Sequence, residues 1–111
     1  MLISWLGAFV VTQLVECPIY RIALPQINGQ KVWLYAFSIS LFTHPIVFFV
    51  FPLIEFASYW DMVAAAEAFA VLVEAMILRH WGCPRPITVS VVANVSSAGI
   101  GLGLRAMTGF P

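Results

Sequence analysis

Five polar residues of this chain lie inside stretches that are otherwise apolar enough to cross a membrane. They are Glu16, His44, Glu67, Glu74 and Asn94. Ionisable side chains are costly in hydrocarbon, and those found there usually face a bundle interior or a wet cavity and carry function. Buried carboxyl groups can exchange protons with their neighbours or bind a cation. We therefore predict an interior Glu/His/Asn site that binds or passes a proton or small cation.

The same residues could hold a cofactor. Histidine and carboxylate side chains ligate zinc, iron or manganese, which makes His44, Glu16 and Glu74 candidate metal ligands. The Glu-x-x-His pair of di-iron bundles is absent, and so is a His-x-x-x-His spacing. His44 could instead ligate a tetrapyrrole, because Ser40 one turn earlier leaves room for a ring. The sequence leaves a metal ion and a tetrapyrrole open as alternatives at His44.

Signatures of an enzyme are weak. The chain has no Gly-x-Ser-x-Gly elbow and no convincing Ser-His-Asp set. Cys17 and Cys83 lack the spacing of a redox motif, and we expect them to stay reduced. The sequence therefore favours a protein that is not an enzyme.

The composition indicates a membrane protein. Hydrophobic residues make up 62% of the chain and charged residues 9%, whereas a soluble domain is about 25% charged. A soluble domain of this length could not bury so much apolar surface, because its surface-to-volume ratio is high. The net charge is zero and there is no basic cluster, so nothing indicates nucleic acid binding. The lipid bilayer is the expected partner of the outer surface.

Four apolar segments have the length that spans a bilayer as a helix, roughly 20 residues. Their predicted boundaries are about 2–24, 32–54, 57–80 and 87–107. Pro25 and the polar turn at 26–30 separate the first pair, and residues 82–86, with Gly82 and two prolines, separate the last pair. Short connections make neighbouring helices antiparallel. We expect an all-α integral membrane protein: a single domain, 1–111, with four transmembrane helices in an up-down-up-down bundle.

The basic residues predict the orientation. Four of the five flank the first and third connections: Arg21, Lys31, Arg79 and Arg85. Cytoplasmic loops carry an excess of Lys and Arg, so these connections should be cytoplasmic and both termini should face outward from the inner membrane. Arg105 lies on the opposite side and is expected to pair with Glu55 or Asp61.

Each segment carries one polar stripe, because its polar residues recur at spacings of three or four. The stripes are Thr12, Gln13, Glu16 and Tyr20; Ser40, Thr43 and His44; Glu67 and Glu74; and Ser90, Asn94 and Ser97. Counting from the segment ends places Glu16, Glu74 and Asn94 at one level, His44 near the midplane and Glu67 toward the outer side. Pro45 should kink the second helix beside His44.

Two features predict association with other helices. Gly99 and Gly103 form a GxxxG pair, which suits close helix packing. Asn94 with Ser90 could also bridge helices rather than bind a ligand. The alternative function is therefore an accessory or structural subunit of a larger membrane complex, whose polar residues contact neighbouring chains or a bound cofactor. Under either hypothesis we expect a homo-oligomer or a complex subunit.

The chain resembles the small multidrug resistance transporters in length, in its four short helices and in one glutamate at the middle of the first helix. That glutamate would correspond to Glu16, in the segment Glu16-Cys17-Pro18-Ile19-Tyr20. The residues around it differ from the motif of that family, and His44 and Glu74 have no counterpart there. The charge bias is also one-sided, unlike that of their dual-topology dimers, so the resemblance is one of architecture.

Overall fold

The computed structural model describes residues 2–25, 27 and 29–110 of the chain. Over these residues it contains four α-helices, which are α1 (Leu2–Ala23), α2 (Lys31–Pro45), α3 (Tyr59–His80) and α4 (Pro86–Thr108). The predicted all-helical architecture is confirmed, and the described part of the chain contains no strand. The predicted polar turn at 26–30 is described only in part, since Gln26 and Asn28 lie outside the described residues.

The second apolar segment changes its helix type at the predicted proline. After Pro45 the chain continues as a π-helical turn, Ile46–Val50, and then as a 3₁₀ turn, Phe51–Leu53. Proline has no N–H to donate to the preceding turn, and departures from regular α-helix concentrate at proline and at π turns. The disturbance expected beside His44 therefore extends over the last two turns of the segment.

The ends of α3 and α4 follow from capping residues. Ser58 is extended and its Oγ accepts a hydrogen bond of 3.1 Å from the Asp61 N–H, which starts α3 at Tyr59 rather than at the predicted residue 57. Pro86 occupies the first turn of α4, where its missing N–H costs nothing. Gly109 ends α4 in the left-handed conformation with φ of 75°.

The helices form a bundle in which α1 packs against α2 and α4, and α3 packs against α4. Contact between α2 and α3 is looser. The bundle measures 40 × 25 × 20 Å, and its long dimension matches a bilayer with its headgroups, about 40–45 Å.

The interior holds an unusual number of polar side chains, and large apolar side chains cover the outer surface. The buried polar side chains are those of Glu16, Ser40, Thr43, Glu74, Ser90, Asn94 and Ser97. Large apolar side chains lie on the outside, and Leu14, Ile22 and Met76 are each more than 70% exposed. Three helical segments are long and apolar enough to cross a membrane: Ile3–Ala23, Lys31–Leu53 and Pro86–Thr108. Helix α3 has a similar length but carries Asp61, Glu67, Glu74 and Arg79.

An apolar core fills the end of the bundle beside the first and third connections. It consists of Cys17, Tyr20, Leu24, Val32, Ala36, Ile39, Leu78, Cys83 and Ala93. We call this region the sealed end. On its surface the Arg21 guanidinium lies 5.4 Å from the centre of the Trp33 ring, a cation–π contact that joins α1 to α2.

Candidate functional site

A cavity of about 770 Å³ enters the bundle from the opposite end, which we call the open end. Residues of all four helices line it. Ser4, Tyr59 and Gly109 lie near its mouth, whereas Glu16 and Glu74 line its floor. Twelve residues separate Ser4 from Glu16, about 18 Å along a helix. The cavity therefore reaches roughly the middle of the bundle and stops where the apolar core begins.

Glu16 lies at the floor and connects three helices. It is only 2% exposed. Its Oε1 accepts a hydrogen bond of 3.1 Å from Ser40 on α2, and its Oε2 accepts one of 2.5 Å from Ser97 on α4. The polar stripes of α1, α2 and α4 thus converge on one carboxyl group.

Glu74 is the second floor carboxyl and is 1% exposed. The Tyr20 hydroxyl donates to its Oε1, and the Thr43 hydroxyl donates to its Oε2 at 2.9 Å. Its carboxyl group also interacts with the side chains of Asn94 and Glu16. These interactions bring together Glu16, Glu74 and Asn94, the three residues that the sequence placed at one level.

The two carboxyl groups lie close enough to interact electrostatically. Like charges repel strongly in a low-dielectric interior, so the pair favours a state in which at least one carboxyl group is protonated. Within the described residues, the groups that act on Glu16 and Glu74 are hydroxyls, the Asn94 amide and other carboxyls, with no Lys or Arg. Two unpaired negative charges are unfavourable in a low-dielectric interior. The pair therefore requires a proton or another cation.

Two hydroxyl groups of this site each have a second acceptor. Thr43 Oγ1 is 2.9 Å from Glu74 Oε2 and 3.3 Å from the Ile39 carbonyl. Ser97 Oγ is 2.5 Å from Glu16 Oε2 and 3.2 Å from the Asn94 carbonyl. A hydroxyl donates one proton but also accepts. When the neighbouring carboxyl group is ionised, each hydroxyl can donate to it. When the carboxyl group is protonated, the hydroxyl can accept a hydrogen bond from it and donate to the backbone carbonyl of its own helix. The site thus accommodates both protonation states without an unsatisfied donor.

Glu67 lines the cavity between its mouth and its floor. It precedes Glu74 by seven residues, about 10 Å along α3, and therefore lies nearer the open end than the carboxyl pair does. Its Oε2 atom is buried and has no hydrogen-bond partner among the described residues. Glu67 is thus a cavity carboxyl that the chain itself leaves partly unsatisfied.

His44 lines the cavity but packs against aromatic rings. Its ring centre lies 5.5 Å from that of Phe9 and 6.3 Å from those of Trp5 and Phe48. Its Nδ1 atom has no hydrogen-bond partner in the described part of the chain. Thr43, and not His44, reaches Glu74, because adjacent residues of a helix point about 100° apart. The structure therefore separates His44 from the two carboxyls that the sequence placed beside it.

The candidate metal ligands do not come together as a three-ligand site. The residues that the structure describes contain no group of three or more His, Cys, Asp or Glu side chains that could hold a metal ion. Glu16 and Glu74 meet, but His44 belongs to the aromatic cluster. The tetrapyrrole at His44 stays a prediction.

Asn94 combines the two roles that the sequence left open. Its Nδ2 donates to the Ser90 carbonyl at 2.9 Å, and its side chain also interacts with Glu74 and Tyr20. Ser90 in turn donates to the Val71 carbonyl of α3 at 2.8 Å. Asn94 therefore helps to join α4 to α3 at the level of the carboxyl pair.

Two predicted contacts near the open end are not formed among the described residues. Gly99 and Gly103 lie on the exposed face of α4, and a Cβ at either would meet no atom within 4 Å. They do not pack against another helix of this chain. Arg105 lines the cavity near its mouth, and across the described residues it forms no ion pair with Glu55 or Asp61.

The site includes four hydroxyl residues that were not predicted as site residues. They are Tyr20, Ser40, Thr43 and Ser97, and each donates to one of the paired carboxyls. All four belong to the polar stripes of the sequence. The stripes were thus a usable signal, but they did not show which hydroxyl meets which carboxyl.

No protein-family model, no curated protein and no solved structure matches this chain. The resemblance to the small multidrug resistance transporters consequently has no support beyond architecture.

Proposed function

We propose that this chain is a four-span membrane protein whose Glu16–Glu74 pair binds a proton, or a small cation in its place, taken up through the cavity. The observation that carries the proposal is the proximity of two buried, interacting carboxyl groups that no described basic residue neutralises. The alternative acceptors of Thr43 and Ser97 support it, because they let the pair gain and lose a proton with every hydroxyl satisfied.

The proposal requires α3 to be the fourth span. Between Met62 and Leu78 its only charged residues are Glu67 and Glu74, and both line the cavity instead of the outer surface. Asp61 and Arg79 lie near the two helix ends, where headgroups and water are within reach. The charges that lower the hydropathy of α3 would therefore not meet lipid tails.

The orientation predicted by the basic residues gives the site a direction. With the first and third connections in the cytoplasm of an inner-membrane protein, the open end faces outward and the sealed end faces inward. The Glu16–Glu74 pair at the floor of the cavity would then take up its proton from the outside. The packed core of Tyr20, Leu24 and Leu78 lies between the pair and the cytoplasmic end. This conformation therefore favours binding and release of the proton on one side of the membrane over its passage to the other side.

Infrared difference spectroscopy on the protein in lipid nanodiscs tests the proposal. We expect the C=O band of a protonated carboxyl group at neutral pH in the wild type and a changed or lost band in Glu16→Gln and Glu74→Gln. Both variants keep the side-chain shape and should fold. Glu55→Gln is the matched control, because Glu55 is exposed in the connection before α3. If all glutamates of the wild type lose their protons in the ordinary acid range, the shared site does not exist.

The alternative, a subunit of a larger complex, is favoured by one separate observation. Gly99 and Gly103 make a smooth exposed strip on α4 with open space above each Cα. Small residues of this spacing let another transmembrane helix approach closely. Gly99→Leu should fold like the wild type, because nothing in the chain occupies that space, and should reduce co-purifying partners or oligomer in native mass spectrometry. Leu104→Ala, on an exposed position of the same helix, is the control.

A further inference from the structure

We propose that the cavity above the carboxyl pair binds a compact organic cation, with a protonated amine at Glu67 and an apolar body against the cavity walls. This site is separate from the proton on the Glu16–Glu74 pair. It depends on Glu67 and on the shape of the cavity, and its test does not require the pair to titrate.

The size and lining of the cavity indicate an apolar body. Its volume of about 770 Å³ lies within the range of small-molecule sites, roughly 300–1,000 Å³. Apolar side chains from all four helical segments form its walls, among them Val11, Val47, Phe48, Val63 and Leu102. A hydrated inorganic cation alone would leave these walls without a contact. A ligand with an apolar body covers them and displaces water from them.

The charge of the cavity indicates a cation. Glu67 lines the wall, Glu16 and Glu74 line the floor, and Arg105 near the mouth is the one Lys or Arg among the lining residues that the structure describes. Glu67 is half-buried, and among the described residues no hydrogen-bond donor and no basic residue acts on its carboxyl group. A protonated amine supplies both the charge and the donor that this carboxyl group lacks.

The wall formed by the second segment suits the same ligand. His44 and Phe48 both line the cavity, and the face of an aromatic ring attracts a cation within about 6 Å. The aromatic lining from the second segment thus complements the carboxylate that α3 contributes.

Isothermal titration calorimetry of the detergent-solubilised wild type with three matched compounds tests this inference. Adamantylamine, adamantanol and adamantane carboxylate share one apolar body and differ in charge at neutral pH. We expect the amine to bind at least about tenfold more tightly than the alcohol, the difference that one buried charge pair readily provides. The carboxylate should bind most weakly. Equal affinity for all three, or preference for the carboxylate, would overturn the proposal.

Substitutions in the cavity lining test where the amine binds. Glu67→Gln should remove the preference for the amine while leaving the affinity for adamantanol unchanged. Ala66→Phe places a ring in the cavity and should weaken both compounds, since Ala66 lines the cavity. Leu72→Phe on the exposed face of α3 is the control and should change neither affinity. Amine binding that survives both Glu67→Gln and Ala66→Phe contradicts the site. The infrared band of the floor pair should persist in Glu67→Gln, which keeps this outcome distinct from a failure of the proposed function.

Discussion

The two ends of the bundle are built from the same four helices, yet one is packed and the other is hollow. At the sealed end Tyr20, Leu24 and Leu78 are completely buried and fill the space between the helices. At the open end the corresponding interior positions carry Ala66, Ala70 and Gly101, which line the cavity. Side chains of this size cannot reach across the bundle. The difference shows that interior side-chain volume, and not helix length, decides where this fold leaves room for a ligand.

The carboxyl pair lies at the boundary between these two regions. On one side Glu16 and Glu74 adjoin the packed core through Tyr20, and on the other side they line the cavity. At this boundary a proton or cation can reach the pair through the cavity. On the other side, the packed core holds the hydrogen-bond donors of the pair in place. This contrast suggests four ways to test the two ends, ordered by the size of the effect.

Topology should give an all-or-none result. We expect Met107→Cys, at the open end, to be labelled by a membrane-impermeant maleimide on intact cells, and Gln30→Cys, at the sealed end, to be labelled only after lysis. Both positions are exposed, and the native Cys17 and Cys83 are buried thiols that should react little. Labelling of Gln30→Cys on intact cells would reverse the orientation of the cavity.

Truncation of a side chain should cost far more at the sealed end than at the cavity wall. Leu78→Ala removes a fully buried side chain and should lower the free energy of unfolding by about 2–5 kcal/mol. Val63→Ala should cost less than about 1 kcal/mol, because Val63 already borders empty space. Unfolding in mixed micelles measures both. Equal losses for the two variants would mean that the cavity is filled in the membrane.

Loss of a hydroxyl at the floor should affect the proton more than the fold. Thr43→Val keeps the side-chain shape but leaves Glu74 Oε2 without its donor, which should destabilise the ionised pair by about 1–3 kcal/mol. We therefore expect the protonated carboxyl band to persist to higher pH in Thr43→Val than in the wild type. Ser38→Ala is the control, since Ser38 donates only to the Leu34 carbonyl on the outer surface. An unchanged pH profile would show that Thr43 does not act on the pair.

Replacement of the histidine should have the smallest effect on stability. His44→Leu should still insert, because leucine is favoured at the centre of a membrane helix. It should change the free energy of unfolding by about 1 kcal/mol or less, since His44 forms ring contacts and no described hydrogen bond at Nδ1. If His44 ligates a metal or pigment, the purified variant should instead lose that group. Metal and pigment analysis of the wild type and the variant distinguishes the two roles.

Local signals in the sequence predicted most of the helices. The apolar segments end at Pro25 and at residues 82–86, because proline and glycine interrupt helices wherever they occur. Two details differ from the prediction, and both have equally local causes. Ser58 caps α3 two residues later than predicted, and the chain beyond Pro45 adopts a π turn in place of a continued α-helix. The role of the GxxxG pair in helix contact stays a prediction, because Gly99 and Gly103 meet no other helix of this chain.

The sequence by itself determined the apolar exterior and the polar stripes, because a period of 3.6 residues places every third or fourth residue on one face of a helix. It also placed Glu16, Glu74 and Asn94 at one depth, since depth along a helix follows from counting residues. Only the tertiary structure decided that Thr43 and not His44 reaches Glu74, and that space remains above Glu67. Such contacts depend on the rotation of each helix about its axis, which side-chain packing between helices determines.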